Sequence, residues 1–81
     1  MNKRIGVVAI IVENKESVEL VNKLLSIYGE IIVGRMGVPY KEKNLSVISI
    51  IVDGTTDDIG ALTGKLGRLT GVTVKSALTQ K

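Results

Sequence analysis

The chain has 81 residues, with eleven lysine and arginine residues against eight aspartate and glutamate residues, and it contains neither cysteine nor histidine. These two absences exclude disulfides, the usual zinc, copper and nickel sites, and a Cys or His nucleophile or base. We therefore expect no enzyme, metal or cofactor, but one small domain over residues 1–81 that oligomerisation stabilises.

The first predicted element is a strand from Ile5 to Val12 that has no charge and no hydroxyl. Eight apolar residues are too few to span a bilayer, which takes about 20. The polar residues that follow, from Glu13 to Lys15, contain no small-residue cleavage pattern of a signal peptide. The basic residues are scattered, so no polybasic membrane patch is predicted either. We expect a cytoplasmic protein without membrane contact.

A helix is predicted next. Asn14 is a candidate N-cap, and Gly29 is placed to end the helix. Between them, apolar residues recur at helical spacing: Val18, Val21, Leu25 and Tyr28. The start of this helix, from Asn14 to Ser17, should present free backbone N–H groups that favour an anion.

The second predicted strand covers Glu30 to Val38. Its start is β-branched, and Gly34 and Gly37 interrupt it, which indicates an edge strand with a bulge or a close contact. Pro39 is expected to end this strand, and a charged loop should follow.

The second half of the chain repeats the predicted strand–helix–strand order. Leu45 to Val52 is a strand whose only polar residues are two serines, and Asp53-Gly54 is expected to turn the chain. Thr55 should cap a second helix, in which a buried stripe is formed by Ile59, Leu62, Leu66 and Leu69. Gly71 should stop that helix before an alternating last strand from Val72 to Leu78.

The order βαββαβ predicts an α+β, ferredoxin-like fold, in which two helices cover one face of a four-stranded antiparallel sheet. The first and third strands lie in the centre of such a sheet, and these are the two uniformly apolar ones. Strands that are apolar on both sides require cover on both faces. Since the helices cover only one face, we expect a homo-oligomer, a dimer or higher, in which another copy covers the second face.

The second helix carries three glycines at i, i+4 and i+7, namely Gly60, Gly64 and Gly67. They share one face, roughly opposite the buried stripe, and each costs about 0.8–1 kcal/mol relative to alanine. This cost favours the close approach of another backbone, within the fold or across a subunit boundary. A ligand or partner surface, and simple tolerance of glycine, remain as alternatives.

The segment Gly34–Tyr40 is the strongest candidate for a ligand site. Arg35 could bind a carboxylate or phosphate through two hydrogen bonds, with Met36 and Tyr40 beside it, and Gly37 would let a ligand approach the backbone. The alternative is that Arg35 pairs with an acid across an interface and that Met36 fills core.

RNA binding has to be considered because a common RNA-binding module shares the βαββαβ order. That module stacks bases on aromatic residues of its first and third strands. This chain has no phenylalanine or tryptophan, and Tyr28 and Tyr40 fall on a helix and a loop. Direct RNA binding is therefore disfavoured.

Five segments carry recognisable motifs: Val12–Asn14, Ile32–Tyr40, Asp53–Asp57, Ile59–Gly67 and Gly71–Lys75. Together they resemble the iron-only hydrogenase system regulator family, which is related to the ACT domain and to the C-terminal domain of the nickel-responsive repressor. The resemblance implies an oligomeric ACT-type domain that regulates or accompanies the hydrogenase system. Nickel binding does not carry over, because the ligands His and Cys are absent, and no segment corresponds to the repressor's DNA-binding part.

Two functions follow as hypotheses. The first is a regulatory domain that senses a small anionic or amino-acid-like effector at a subunit interface. The second is an interaction module that docks to a hydrogenase-system component without any small ligand. The candidate ligand-binding residues are Asn14, Ser17, Arg35, Met36, Gly37 and Tyr40, and the candidate interface residues are Gly60, Gly64, Gly67 and Ser49.

Overall fold

The predicted βαββαβ order is confirmed in the computed structural model, which describes residues 3–79. Residues 1–2 and 80–81 of the expected domain lie outside the described residues. Short 3-10 turns follow α1 and β2, at Gly29–Ile31 and Lys41–Lys43. The helices and strands are β1 Lys3–Val12, α1 Glu16–Ile27, β2 Ile32–Tyr40, β3 Leu45–Thr55, α2 Thr56–Gly67 and β4 Val72–Leu78.

All four strands form one antiparallel sheet in the order β2-β3-β1-β4. The apolar strands β1 and β3 are the central pair, in register from Lys3 opposite Thr55 to Val12 opposite Ser46. Strands β2 and β4 are the edges, which confirms β2 as an edge strand, and a shift of register between Ile32 and Gly34 favours the bulge over the close contact, the two alternatives for β2. The fold is therefore the predicted ferredoxin-like one.

The core lies between one face of the sheet and the two helices. Alternate residues of β1 and β3 point into it, and so do the apolar stripes of both helices; these buried residues are Val8, Ile10, Val12, Ile48, Ile50, Val52, Val21, Leu25, Ile59, Leu62 and Leu66. The intervening residues of the same strands form what we call the open face, which no element of the described chain covers. The β2 residues opposite them, such as Met36, belong to the same face. Five large apolar residues of β1 and β3 are exposed on it: Ile5, Val7, Ile11, Val47 and Ile51.

The predicted cap of α2 is confirmed, whereas that of α1 is displaced by one residue. The Thr55 hydroxyl accepts a hydrogen bond of 3.1 Å from the Asp58 N–H, which confirms the cap of α2. The N-cap of α1 is Lys15, which makes no side-chain capping hydrogen bond. Asn14 precedes it, and its Oδ1 accepts a hydrogen bond of 2.9 Å from the Glu16 N–H. Gly71 has a φ of 71°, and a Cβ there would collide with Asn14, so this position requires glycine.

Several predicted boundaries are wrong. Strand β2 continues through Pro39, which an edge strand tolerates because the missing N–H faces away from its neighbour. Strand β3 continues through Asp53-Gly54, because the long β1 still offers Ile5 and Arg4 as pairing partners. Helix α2 already ends at Gly67 rather than at Gly71. Gly29 begins a 3-10 turn after α1 and does not adopt the left-handed conformation of a glycine cap.

Candidate functional site

A cavity of about 350 Å³ lies at one end of the sheet, beside the start of α1 and the turn between β2 and β3. Its lining combines two lysines, an asparagine and a serine with apolar residues, and no aspartate or glutamate is among them. We call this the lysine cavity, and its lining residues are Val12, Lys15, Val18, Pro39, Lys41, Asn44, Leu45 and Ser46.

The lysine cavity forms because two distant loops meet. Lys15 directly precedes α1, and Lys41 opens the 3-10 turn after β2. Asn44 ends that turn in the left-handed conformation, with a φ of 58°, which asparagine adopts more readily than other non-glycine residues. This reversal directs Leu45 into β3 and leaves Lys41 on the cavity rim.

The N–H groups at the start of α1 are not free, contrary to the sequence-based expectation. The Glu16 N–H donates to the Asn14 side chain, and the Ser17 N–H donates to the Asn14 carbonyl at 3.0 Å. The Val18 N–H donates to the Lys15 carbonyl at 3.2 Å. An anion at this end of the sheet would therefore be bound mainly by lysine side chains.

Ser17, a candidate ligand residue, is only 3% exposed. Its hydroxyl donates a 2.7 Å hydrogen bond to the Thr70 carbonyl, so it joins the start of α1 to the loop after α2. Beside it, the Glu13 N–H donates to the Gly71 carbonyl at 2.8 Å. Ser17 thus has a structural contact in this chain that accounts for its burial.

The candidate segment around Arg35 is divided between the two faces of the sheet. Arg35 lies opposite Ile50 on the helix side, and its guanidinium donates a 2.9 Å hydrogen bond to the Asn22 side chain of α1. Met36 lies opposite Ser49 on the open face and is strongly exposed. The partner of Arg35 in this chain is an amide rather than an acid.

The remaining residues of this segment are placed by the same alternation. Tyr40 is exposed on the open face, opposite Leu45, whereas Gly37 lies opposite the buried Ile48. Arg35 precedes Pro39 by four strand residues, about 13 Å at roughly 3.3 Å per residue, and does not line the lysine cavity. The structure therefore does not gather Asn14, Ser17, Arg35 and Tyr40 into one site.

The three glycines of α2 face empty space. A Cβ added at Gly60, Gly64 or Gly67 would meet no heavy atom within 4 Å, so the alternative of a close backbone contact within the fold is wrong. The glycines line a second cavity, of about 480 Å³, together with residues of β4 that include Val72, Val74 and Ser76. The alternatives of a subunit boundary, a ligand surface and simple tolerance remain.

Residues 3–79 contain neither a candidate metal cluster nor a helix that could span a membrane. Within this range, no cluster of three or more Asp and Glu side chains is arranged to hold a metal ion. Neither described helix has the length and apolar character needed to cross a membrane.

Comparison with known proteins identifies one family and several related folds. A family model described as "TM1266-like: Iron-only hydrogenase system regulator, putative" matches residues 4–76. The solved structure of the uncharacterized protein TM1266 from Thermotoga maritima is 36% identical, has a TM-score of 0.92, and is aligned over 98% of this chain and 100% of that one. None of the curated proteins matches the chain.

Two structures of low identity share the ACT-like fold. One is described as a "putative glycine cleavage system transcriptional repressor" and is 12% identical with a TM-score of 0.72, over 100% of this chain and 48% of that one. The other is the nitrogen regulatory PII-like protein CPII from Thiomonas intermedia K12, bound to ADP, AMP and bicarbonate. It is 18% identical, with a TM-score of 0.56 over 98% of this chain and 99% of that one. At such identities the likeness concerns the fold alone.

Proposed function

This chain belongs to the TM1266-like family of iron-only hydrogenase system regulators, and from that premise we propose that it is an oligomeric regulatory domain that binds a small anionic or zwitterionic ligand and catalyses no reaction. The lysine cavity is the observation that carries this proposal. Lys15 and Lys41, which come from separate loops, both line this cavity, and none of its lining residues is acidic.

The chemistry of the cavity defines the ligand class. The two ammonium groups attract a carboxylate or phosphate, while Val12, Val18 and Leu45 supply apolar contact for a short hydrocarbon part. A volume of about 350 Å³ falls at the small end of the range of roughly 300–1,000 Å³ that ligand pockets span. A small carboxylate or an amino acid therefore suits it better than a dinucleotide.

A second copy on the open face would supply the cover that the apolar strands require. The centre of this face consists of Val7, Ala9, Val47, Ser49 and Ile51, none of which is charged. In a symmetric dimer the same patch meets itself, so a patch without charges avoids like-charge repulsion. This supports the predicted role of Ser49 in the interface.

The groove along β4 suits a second contact between copies. The Thr79 N–H donates to the Ile5 carbonyl, so by antiparallel alternation Val74 and Ser76 turn their backbone groups to the free edge. Unlike β2, strand β4 has neither a bulge nor a proline to block pairing. Antiparallel pairing of two β4 strands would bring the glycine faces of two α2 helices together, where only small residues fit.

A thermal-shift screen with amino acids, small carboxylates, inorganic phosphate and nucleotides tests the ligand proposal. A ligand at 100 times its Kd adds about 2.7 kcal/mol, which raises the Tm of a domain this size by roughly 10 °C or more. We expect Lys15→Ala and Lys41→Ala to abolish the shift. Lys43→Ala should preserve it, because Lys43 lies on the same turn but does not line the cavity.

Other results of this screen would favour a different ligand site or a function without a ligand. A shift that is lost in Arg35→Ala but kept in Lys41→Ala would move the site to β2, as the sequence alone suggested. A panel without any shift would contradict the sensor and favour the second candidate, an adaptor without a ligand. One observation supports that candidate directly, namely the apolar groove between α1 and α2 that no element of the described chain occupies.

A further inference from the structure

A groove of about 370 Å³ runs between α1 and α2, and no strand residue lines it. Leu24 and Leu69 form its floor, where they also pack against the core. Leu20 and Ile27 flank it and are 49% and 64% exposed. Helix α1 thus buries one apolar stripe against the sheet and presents a second one to the groove, which Leu69 completes just after the end of α2.

The rim of this helix groove is entirely basic. Lys23, Lys65 and Arg68 line it, and no acidic residue does. The acidic residues of both helices are confined to the first turns, at positions 16, 19, 57 and 58. One rim cation is also held in place, since the Lys65 Nζ donates a 2.9 Å hydrogen bond to the Tyr28 hydroxyl and lies 5.2 Å from the centre of that ring.

We propose that the helix groove binds an acidic amphipathic helix from another protein. The leucine floor would contact the apolar stripe of such a helix, and the cations would pair with glutamate or aspartate residues that flank the stripe. Leu20 and Ile27 are seven residues apart, about 10 Å at 1.5 Å per residue, which matches two turns of a docked helix.

The three cations on the rim favour an acidic helix over a second copy of the chain or a membrane as the occupant of the helix groove. A second copy bound through the same groove would bring three cations against three cations, which costs free energy instead of providing it. A membrane surface is the poorer alternative, because lipid recognition typically uses clusters of about four to eight basic residues. In addition, Leu24 and Leu69 are recessed between two helices, where a convex helix reaches them better than a flat bilayer.

This inference goes beyond the ligand proposal and is independent of it. The helix groove and the lysine cavity share no residue. A chain could therefore bind a small ligand at one site and a protein partner at the other.

Fluorescence anisotropy with two labelled synthetic peptides tests the proposal on the full chain. Both are 18-residue amphipathic helices with the same leucine stripe, one flanked by glutamate and the other by lysine. We expect the acidic peptide to bind, with an affinity that falls as salt is raised, and the basic peptide to bind at least tenfold more weakly. Equal binding of both peptides, or no binding of either, would overturn the proposal.

Substitutions in the helix groove test where on the chain the acidic peptide binds. Lys23→Glu with Arg68→Glu should weaken binding of the acidic peptide at least tenfold, and Ile27→Ser should weaken it with little change in the salt dependence. Lys41→Glu with Lys43→Glu makes the same change in net charge on the distant turn and should leave binding of the acidic peptide unchanged. Because Lys41 belongs to the lysine cavity, this variant separates the present proposal from the ligand proposal. Loss of binding in this control instead would overturn the assignment to the groove.

The competing occupants have readouts of their own. Phosphatidylglycerol vesicles that sediment the protein in an Arg68- and Ile27-dependent way, while the acidic peptide does not bind, would identify a membrane surface. A change of oligomeric state in Lys23→Glu with Arg68→Glu, measured by analytical ultracentrifugation, would identify a second copy. Either result would overturn the assignment to an acidic helix.

Discussion

The two faces of the sheet are built from neighbouring residues of the same kind, yet only one of them is covered. Ile50 is 0% exposed, whereas Ile51 is 45% exposed; Ile10 and Ile11 differ in the same way, at 0% and 37%. Hydrophobicity therefore does not determine which face of the sheet is buried within one chain. The buried face is the one on which the two helices pack. The open face has the composition of half a core, and no element within residues 3–79 covers it.

Truncation of one isoleucine on each face gives the largest expected difference. Ile50→Ala should lower the free energy of unfolding by about 3–4 kcal/mol, because it removes buried methylenes and leaves a cavity. Ile51→Ala should cost less than about 1 kcal/mol in a dilute, monomeric sample. Urea unfolding at low protein concentration measures both values, and equal costs would contradict the comparison.

Adding a methyl group probes the free space on each face. A Cβ at Gly6 would collide with the Ala77 carbonyl and with Leu78, so Gly6→Ala should cost about 1–3 kcal/mol. Ala9→Val adds two methyls to the exposed side of the same strand and, in a dilute, monomeric sample, should change stability by less than about 0.5 kcal/mol. Thermal unfolding compares the two, and a tolerated Gly6→Ala would show that β4 can move away from β1.

A charge at the centre of the open face should have little effect on the fold but a large one on assembly. Ser49→Glu is expected to shift the chain to monomer in light scattering coupled to size exclusion, with monomer stability changed by about 0.5 kcal/mol or less. Ser26→Glu, on an exposed position of α1, is the matched control and should leave the oligomer intact. A wild-type chain that is already monomeric at micromolar concentration would contradict the assembly that we propose.

Sequence patterns predicted the fold well because hydrophobic periodicity and caps are local signals. The uniform apolarity of β1 and β3 placed them in the centre, and Thr55 marked the start of α2 correctly. The errors arose where tertiary pairing overrides local preference. Asp53-Gly54 has turn composition but remains in β3 because β1 is long enough to pair with it, and Pro39 remains in β2 because that strand is an edge.

The candidate site was harder to predict, because residues from distant segments form it. Lys15 and Lys41 come together only when the turn after β2 folds back over the start of α1. The periodicity of neither segment indicates this meeting. One local signal was present in Asn44, whose tolerance of the left-handed conformation indicates a sharp reversal and thereby the position of the Lys41 turn.

The pairing pattern of the sheet also determines how the chain reaches its native state. Only β2 and β3 pair across a short turn, whereas β1 must find Asp53 for its Ile5 and Ala77 for its Val7. Such non-local pairings raise the contact order, because the entropy of closing large loops is lost before the contacts form. Refolding should therefore take milliseconds or longer, and during synthesis β1 has no strand to pair with until β3 has been made.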